Sequence, residues 1–398
     1  MRVASITGSV SRDAGGLFES VRALNAATAQ FPDIDVRVYG SVDSHTQQDI
    51  PDWGELPVAA FKTLGPRQFG FSPGLLQALR RWDPDLLHVH GIWMYASVAA
   101  VRWKRKTGGR YIVSAHGMLD NWALRNSYWK KKLAMAVYEM AHLRGAKCIR
   151  ALCQAEAQAI RDLGLENPIA LVPNGVGLPD LSIEYPPPRW AGRIPPGGKV
   201  LFFLSRIHPK KGLSELLGGF ARASRACPEA RTWHLVIAGW SQGEHQIELE
   251  KLTRQLGLEN TVHFVGPQFG ADKAASMTRA DAFILPSFSE GLPMAVLEAW
   301  SYRRPVIMTD ECNLPSGFRC GAASRIRPDA QDIARGLVEL FSTDATILEG
   351  MGDRGRKLVE SDFSWPRVGA DMVAVYRWMV DGGPAPTVIQ DAAATTPR

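Results

Sequence analysis

Short apolar runs alternate with helical stretches along this chain, and they do so in two successive series. The first series comprises Val3–Thr7, Val36–Tyr39, Leu86–His90, Tyr111–Ala115, Cys148–Leu152 and Ile169–Val172. The second comprises Val200–Leu204, Leu235–Ala238, Val262–Val265, Ala282–Leu285 and Pro305–Thr309. Strands that alternate with helices imply parallel, doubly wound sheets covered on both faces. Between the series lies the clearest linker in the chain, Tyr185-Pro186-Pro187-Pro188 through Pro195-Pro196-Gly197-Gly198. The expected organisation is therefore two Rossmann-like α/β domains, 1–188 and 198–362, followed by a helix over 363–381 and a disordered tail over 382–398. Joined near residue 190, two such domains would leave a cleft between the carboxyl ends of their strands, where open α/β sheets bind ligands.

The 398 residues suffice for two domains, and 45% apolar with 22% charged residues is ordinary for a globular chain. Met1 to Gly8 reads as a first β-strand and not as a signal peptide. No apolar run approaches the roughly 20 residues that span a bilayer. Five cysteines without C-x-x-C spacing argue against a disulfide framework or a zinc site and fit a reducing cytosol. A net charge of +6 points to acidic partners such as phosphates or anionic lipid. No nucleic-acid recognition module is apparent, and nucleic acid is not expected as a partner.

The segment Ser289-Glu290-Gly291-Leu292-Pro293-Met294-Ala295-Val296-Leu297-Glu298 follows a hydrophobic strand. Glu290 falls in the strand-to-helix loop, and Pro293 suits the first helical turn. Glu298 lies about a turn and a half further on at roughly 1.5 Å per residue. Two carboxylates with free backbone N–H groups between them suit a ligand with hydroxyls at both ends and phosphate in the middle. The second series opens with Leu204-Ser205-Arg206-Ile207-His208-Pro209-Lys210-Lys211-Gly212, which places Arg206 and Lys211 where both can meet one diphosphate. Early in the chain, Asp13-Ala14-Gly15-Gly16-Leu17 lets backbone approach a ligand beside a helix N-terminus. Its spacing is not a G-x-G-x-x-G fingerprint. His116, at a strand end, can hydrogen-bond a sugar hydroxyl or handle a proton. His88 and His90 share one face of a strand. With no Cys, Asp or Glu neighbour to complete a ligand set, a structural or acceptor-contact role fits them better than metal. The stretch Trp122 to Lys132, continuing to Leu133, mixes Trp122, Leu124, Tyr128 and Trp129 with Arg125, Lys130, Lys131 and Lys132. Aromatics beside basic residues describe a helix that can lie on an anionic membrane.

Together these residues resemble a retaining glycosyltransferase of the GT-B fold, family 4. The resemblance runs from the Gly15-Gly16 loop to the helix after Phe363-Ser364-Trp365. Its most specific part is E-x7-E at Glu290 and Glu298, and next is the R-x4-K-G setting of Arg206 and Lys211. The resemblance implies that Glu290 binds donor-sugar hydroxyls and Glu298 the ribose. Arg206 and Lys211 would neutralise the diphosphate. Backbone around Gly16, Gly291, Leu292 and Met294 would help hold it, with base recognition around Gly266-Pro267-Gln268. His116 aligns with a histidine near the transferred sugar. The H-G-M-L-D surroundings look like exopolysaccharide and lipopolysaccharide transferases of bacteria. The implied reaction moves a hexose from a UDP-, GDP- or ADP-sugar to a glycan or lipid-linked glycan, with no metal or other cofactor. The expected location is the cytoplasm, peripheral to the inner face of the plasma membrane. A nucleotide-sugar epimerase of the same architecture and a non-catalytic nucleotide-sugar-binding subunit are the alternatives.

Overall fold

The computed structural model describes residues 1–120, 128–241 and 243–391. It divides into two compact units, Met1–Gly175 with Trp365–Arg398, and Val176–Ser364.

The first unit is built on an eight-stranded sheet. Its strands are β1 (Arg2–Ser9), β2 (Asp35–Ser41), β3 (Val58–Phe61), β4 (Leu86–His90), β5 (Arg110–Ser114), β6 (Cys148–Ala151), β7 (Ile169–Leu171) and a final β14 (Ile389–Gln390). The order is β14-β7-β6-β5-β4-β1-β2-β3, parallel throughout except for antiparallel β14. Strands β4 and β6 are buried on both faces, and β5 is too beyond exposed Arg110; their polar members His88, His90 and Arg150 are buried with them. The sheet order reverses at β1, which has β2 on one side and β4 on the other.

The second unit carries β8 (Lys199–Leu204), β9 (Trp233–Ala238), β10 (Val262–Gly266), β11 (Ala282–Leu285), β12 (Val306–Met308) and β13 (Ala323–Arg325). Their order is β10-β9-β8-β11-β12-β13, all parallel, so its reversal lies between β8 and β11. In open α/β sheets such a reversal opens a crevice at the carboxyl ends of the two strands.

Three expectations are corrected. First, the Pro/Gly-rich segment is not a free linker. Trp190 and Ile194 are buried in the second unit's core, the Trp190 indole N–H donates to Ser276 at 3.0 Å, and Arg193 donates to the Phe264 carbonyl at 3.0 Å. The division falls instead between Gly175 and Val176, whose N–H bonds the Phe363 carbonyl at 2.7 Å. Second, the tail over 382–398 is not disordered throughout. Ile389 pairs with Ala170 and Gln390 with Ile169, because Val388 and Ile389 have an apolar cluster to cover. Residues 392–398 lie outside the described residues. Third, Pro293 stands one position earlier than expected, as the extended cap of the helix Met294–Ser301.

The helix Trp365–Asp381 belongs to the first unit, and there it packs on the helix Gly16–Thr28. A side chain at Gly369 would meet the Ala27 backbone at 3.0 Å, so glycine allows that close approach. The Tyr376 hydroxyl and His88 Nδ1 are 2.6 Å apart, and Arg377 pairs with Asp33 at 2.8 Å.

Candidate active site

In the second unit the loops after β8 and β11, the two strands flanking the reversal, are bolted together. Gly212 ends the first loop in the left-handed region at φ 68°, and a side chain there would sit 2.1 Å from the Pro286 carbonyl oxygen. The Phe288 N–H donates to the Lys210 carbonyl at 2.8 Å. This register carries Lys211 onto Glu290, and the ammonium donates to Glu290 Oε1. Both side chains are more than 90% buried, so each charge depends on the other. The Ser287 hydroxyl donates to the same oxygen at 2.6 Å. Asn313, itself left-handed at φ 57°, donates to the carbonyls of Glu290 and Gly291 at 2.6 and 3.1 Å. Thr309 donates to the Ser287 carbonyl at 2.7 Å. Arg206 is exposed at the end of β8 and has no ion-pair partner among the described residues.

Leu292 and Met294 are half-buried beside this loop and pack on the unit's core. Glu298 lies in the helix that begins at Met294 and pairs with Lys273 at 2.6 Å. Gln268 turns inward. Its carbonyl accepts from Ser276 at 3.1 Å and its amide donates to Val265 at 3.4 Å. The side chain is thus committed to local structure, and the exposed Phe269 follows it.

The remaining expected residues belong to the first unit. Gly15, at φ 58°, caps the helix that starts at Gly16, and neither position has an atom within 4 Å of where a side chain would begin. His116, also with positive φ, follows β5, its Nε2 3.3 Å from His90 Nδ1. Burial, together with the Arg150 charge, pushes the His116 imidazole down to about 3. Burial likewise drives His88 and His90 well below the ordinary histidine range. All three rings are therefore neutral near pH 7. His88 is structural, held between Tyr376 and the Ser114 hydroxyl at 2.6 and 2.7 Å.

At the reversal of this sheet lies a cavity of about 260 Å³. It is lined by the ends of β1, β2 and β4 and by the segments after β1, β2, β4 and β5, among them Ser9, Asp13, Asp43, His90, Met94 and Met118. Burial would raise the Asp43 carboxyl, yet hydrogen bonds from Ser9, Ser11, the His45 amide and Thr46 hold it below the usual range. Asp13 pairs with His45 at 2.7 Å, and ligand atoms of Asp13, Asp43 and His45 lie within 4.8 Å of one another.

Sequence reasoning missed Ser287, Asn313, Lys273 and the Asp43 loop. Lys273 alone had a signal, an acidic partner on the next helix along the chain. Of the stretch Trp122 to Lys132, residues 121–127 lie outside the described residues. Trp129, Leu133 and Val137 are 76, 66 and 69% exposed. The helix from Tyr128 widens into a π-turn over Met135–Glu139 before resuming at Met140. Buried Glu139 fixes that turn, accepting from the Trp93 N–H at 2.8 Å, the Ser97 hydroxyl at 2.9 Å and His142 at 2.7 Å. Among the described residues no helix is long and apolar enough to cross a membrane.

Residues 15–175 match the family described as glycosyl transferase 4-like domain, and residues 187–358 match glycosyl transferases group 1. A D-inositol 3-phosphate glycosyltransferase of Actinosynnema mirum is 28% identical over 331 residues, spanning 77% of this chain and 76% of that one. A GDP-mannose:cellobiosyl-diphosphopolyprenol alpha-mannosyltransferase of Xanthomonas oryzae is 26% identical over 255 residues, 64% of this chain and 63% of the relative. The Anabaena protein HepE, solved with UDP-glucose, superposes with a TM-score of 0.71 at 17% identity, covering 94% of this chain and 99% of that one.

Proposed function

We propose that this chain, which belongs to the retaining GT-B glycosyltransferases of family 4, moves a hexose from a nucleoside diphosphate to a growing, lipid-linked surface polysaccharide or lipopolysaccharide. The observation that carries the donor half is the meeting of Lys211 and Glu290 at the reversal of the second sheet, with Arg206, which has no ion-pair partner among the described residues, exposed in the same loop as Lys211. An incoming diphosphate gives Lys211 and Arg206 a shared anion, and Glu290 is then left to accept from donor-sugar hydroxyls. Glu298, already oriented by Lys273, accepts from the ribose. HepE, solved with UDP-glucose, supports a nucleotide sugar as donor.

As the leaving group departs, the anomeric carbon becomes oxocarbenium-like. Arg206 and Lys211 hold the departing charge, a preorganised electrostatic contribution of the kind removed at a cost of about 10²–10³ in rate. A leaving-group phosphate oxygen takes the acceptor proton on the same face, which retains configuration without a covalent intermediate. Two cations on the diphosphate make a metal unnecessary in this reading. Neutral His116 serves as a hydrogen-bonding group to the transferred sugar and not as a charged one.

The lipid-linked acceptor is supported by the exposed stripe Trp129, Leu133 and Val137 beside Lys130, Lys131 and Lys132, which suits the anionic inner face of the plasma membrane. The named acceptor of the Xanthomonas relative, a diphosphopolyprenol, points the same way.

The test is to screen UDP-, GDP- and ADP-sugars by thermal shift, then assay transfer with the donor that stabilises the chain. Product that forms only when acceptor is present supports transfer. Conversion of the donor sugar with no acceptor would favour the epimerase, and binding with no turnover the silent subunit.

A further inference from the structure

The cavity at the reversal of the first sheet carries a chemical selection that the relatives' names do not suggest. Its floor is stripped of side chains. Gly8 leaves room for Met94, whose sulfur would lie 2.6 Å from a side chain there. Gly91, at φ 82°, admits Met118. Leu17, Ile92, Met94 and Met118 give the walls apolar patches, and Ser9, Ser41 and Thr63 give them hydroxyls. Apolar faces interleaved with hydrogen-bonding groups match a pyranose or cyclitol ring. At about 260 Å³ the space lies below the roughly 300–1,000 Å³ of larger ligand sites and suits one such ring.

Two features set the charge of the guest. Asp13 and Asp43 both line the cavity, and the hydroxyls around Asp43 keep it ionised. Arg67, the one cation on the lining among the described residues, is exposed and so stands at the mouth. His90 also lines the space. It is 98% buried, and its Nε2 has no hydrogen-bond partner among the described residues.

We infer that this cavity binds the acceptor as an uncharged, hydroxyl-rich ring, with Asp13 and Asp43 bonding its hydroxyls, and that it rejects a ring bearing phosphate. The inference rests on the reading of the chain as a transferase whose first unit holds the acceptor. It separates this chain from relatives named for inositol 3-phosphate, since a phosphate inside would face two carboxylates at close range.

The experiment labels methionine methyls in the full chain and titrates glucose, mannose, galactose and myo-inositol, each against its monophosphate. Met94 and Met118 are the reporters. At least one neutral ring should shift both methyls, and its phosphate should bind at least about tenfold more weakly. Asp13→Asn and Asp43→Asn should each weaken the neutral ring severalfold while narrowing its advantage over the phosphate. Asp13→Asn is the safer variant, because Asp43 also organises its own loop. Equal or tighter binding of the phosphate, or no neutral ring that moves the methyls, overturns the inference. A neutral ring that binds while no nucleotide sugar does would leave the cavity's selection of neutral rings standing and sink the transferase reading instead.

Discussion

Lys211 and Glu290 stand 79 residues apart in sequence and are joined by a buried hydrogen-bonded ion pair in the second unit. The pair couples stability to function. Removing one partner of such a pair leaves an uncompensated charge worth about 3–5 kcal/mol. Lys211→Ala should therefore lower both the melting temperature and the transfer rate, the latter by about 10²–10³. Glu290→Gln keeps the shape and should cost less stability than Glu290→Ala, yet still lose most transfer. Differential scanning fluorimetry beside a nucleotide-sugar assay separates the two effects. Transfer by Lys211→Ala or Glu290→Ala within a few-fold of the parent would mean that the donor site lies elsewhere.

Gly212→Ala is a sharper probe of the same loop, since it changes no charge. The new methyl meets the Pro286 carbonyl, and the backbone is already left-handed. The strain from φ alone is about 1–2 kcal/mol, and relieving the clash must part the two loops that hold Lys211 against Glu290. The expected result is a drop of several degrees in melting temperature with loss of donor binding. Gly197→Ala, at φ 78° in open space, is the control and should show only the first, smaller effect.

The main strands of both sheets were legible as apolar runs because buried parallel strands need no alternation. Edge strands β3 and β13 were not. Val-Ala-Ala-Phe is only four residues and Ala-Ser-Arg only three and mostly polar, and only a neighbouring strand makes them strands. The E-x7-E spacing and the Arg206/Lys211 segment drew notice because each follows a strand. Asn313 and Ser287 left no trace, since their bonds depend on how distant loops meet. Trp190 misled in the other direction: proline-rich surroundings suggested a linker, while one large buried ring anchors the segment.

The three histidines of the first unit predict a pH response. Their folded pKa values lie below the unfolded value of about 6.5, so the unfolded chain binds more protons as pH falls. Stability should be full above about pH 7 and decline below it, each group contributing up to about 1.4 kcal/mol per pH unit. Burial raises the Glu156 carboxyl, which acts with the opposite sign, while lowered His234 and His263 of the second unit add to the imidazole response. Urea midpoints should fall steeply between pH 7.5 and 5.5, and the His116 ring should show no titration above pH 5 by NMR. A level midpoint would mean that the folded rings take up protons as readily as those of the unfolded chain.

The helix around Trp129 makes the membrane reading measurable. Winding wider through the π-turn reduces the drift of a straight helix at 3.6 residues per turn, and this keeps Val137 nearer the line of Trp129 and Leu133. Lys132 lies over the Trp129 ring at 5.4 Å and Lys131 over Trp93 at 5.8 Å, so the charges flank the apolar stripe. Each lysine near an anionic surface contributes about 1 kcal/mol, and the attraction is screened by salt. Changing Lys130, Lys131 and Lys132 to Glu should weaken sedimentation with phosphatidylglycerol vesicles by about a hundredfold or more. Trp129→Ala with Leu133→Ala should weaken binding by a factor that salt changes little. Vesicles of phosphatidylcholine alone should recruit neither the parent nor the variants. Unchanged sedimentation of the triple Glu variant on anionic vesicles would remove this face as a membrane contact and leave the donor site untouched.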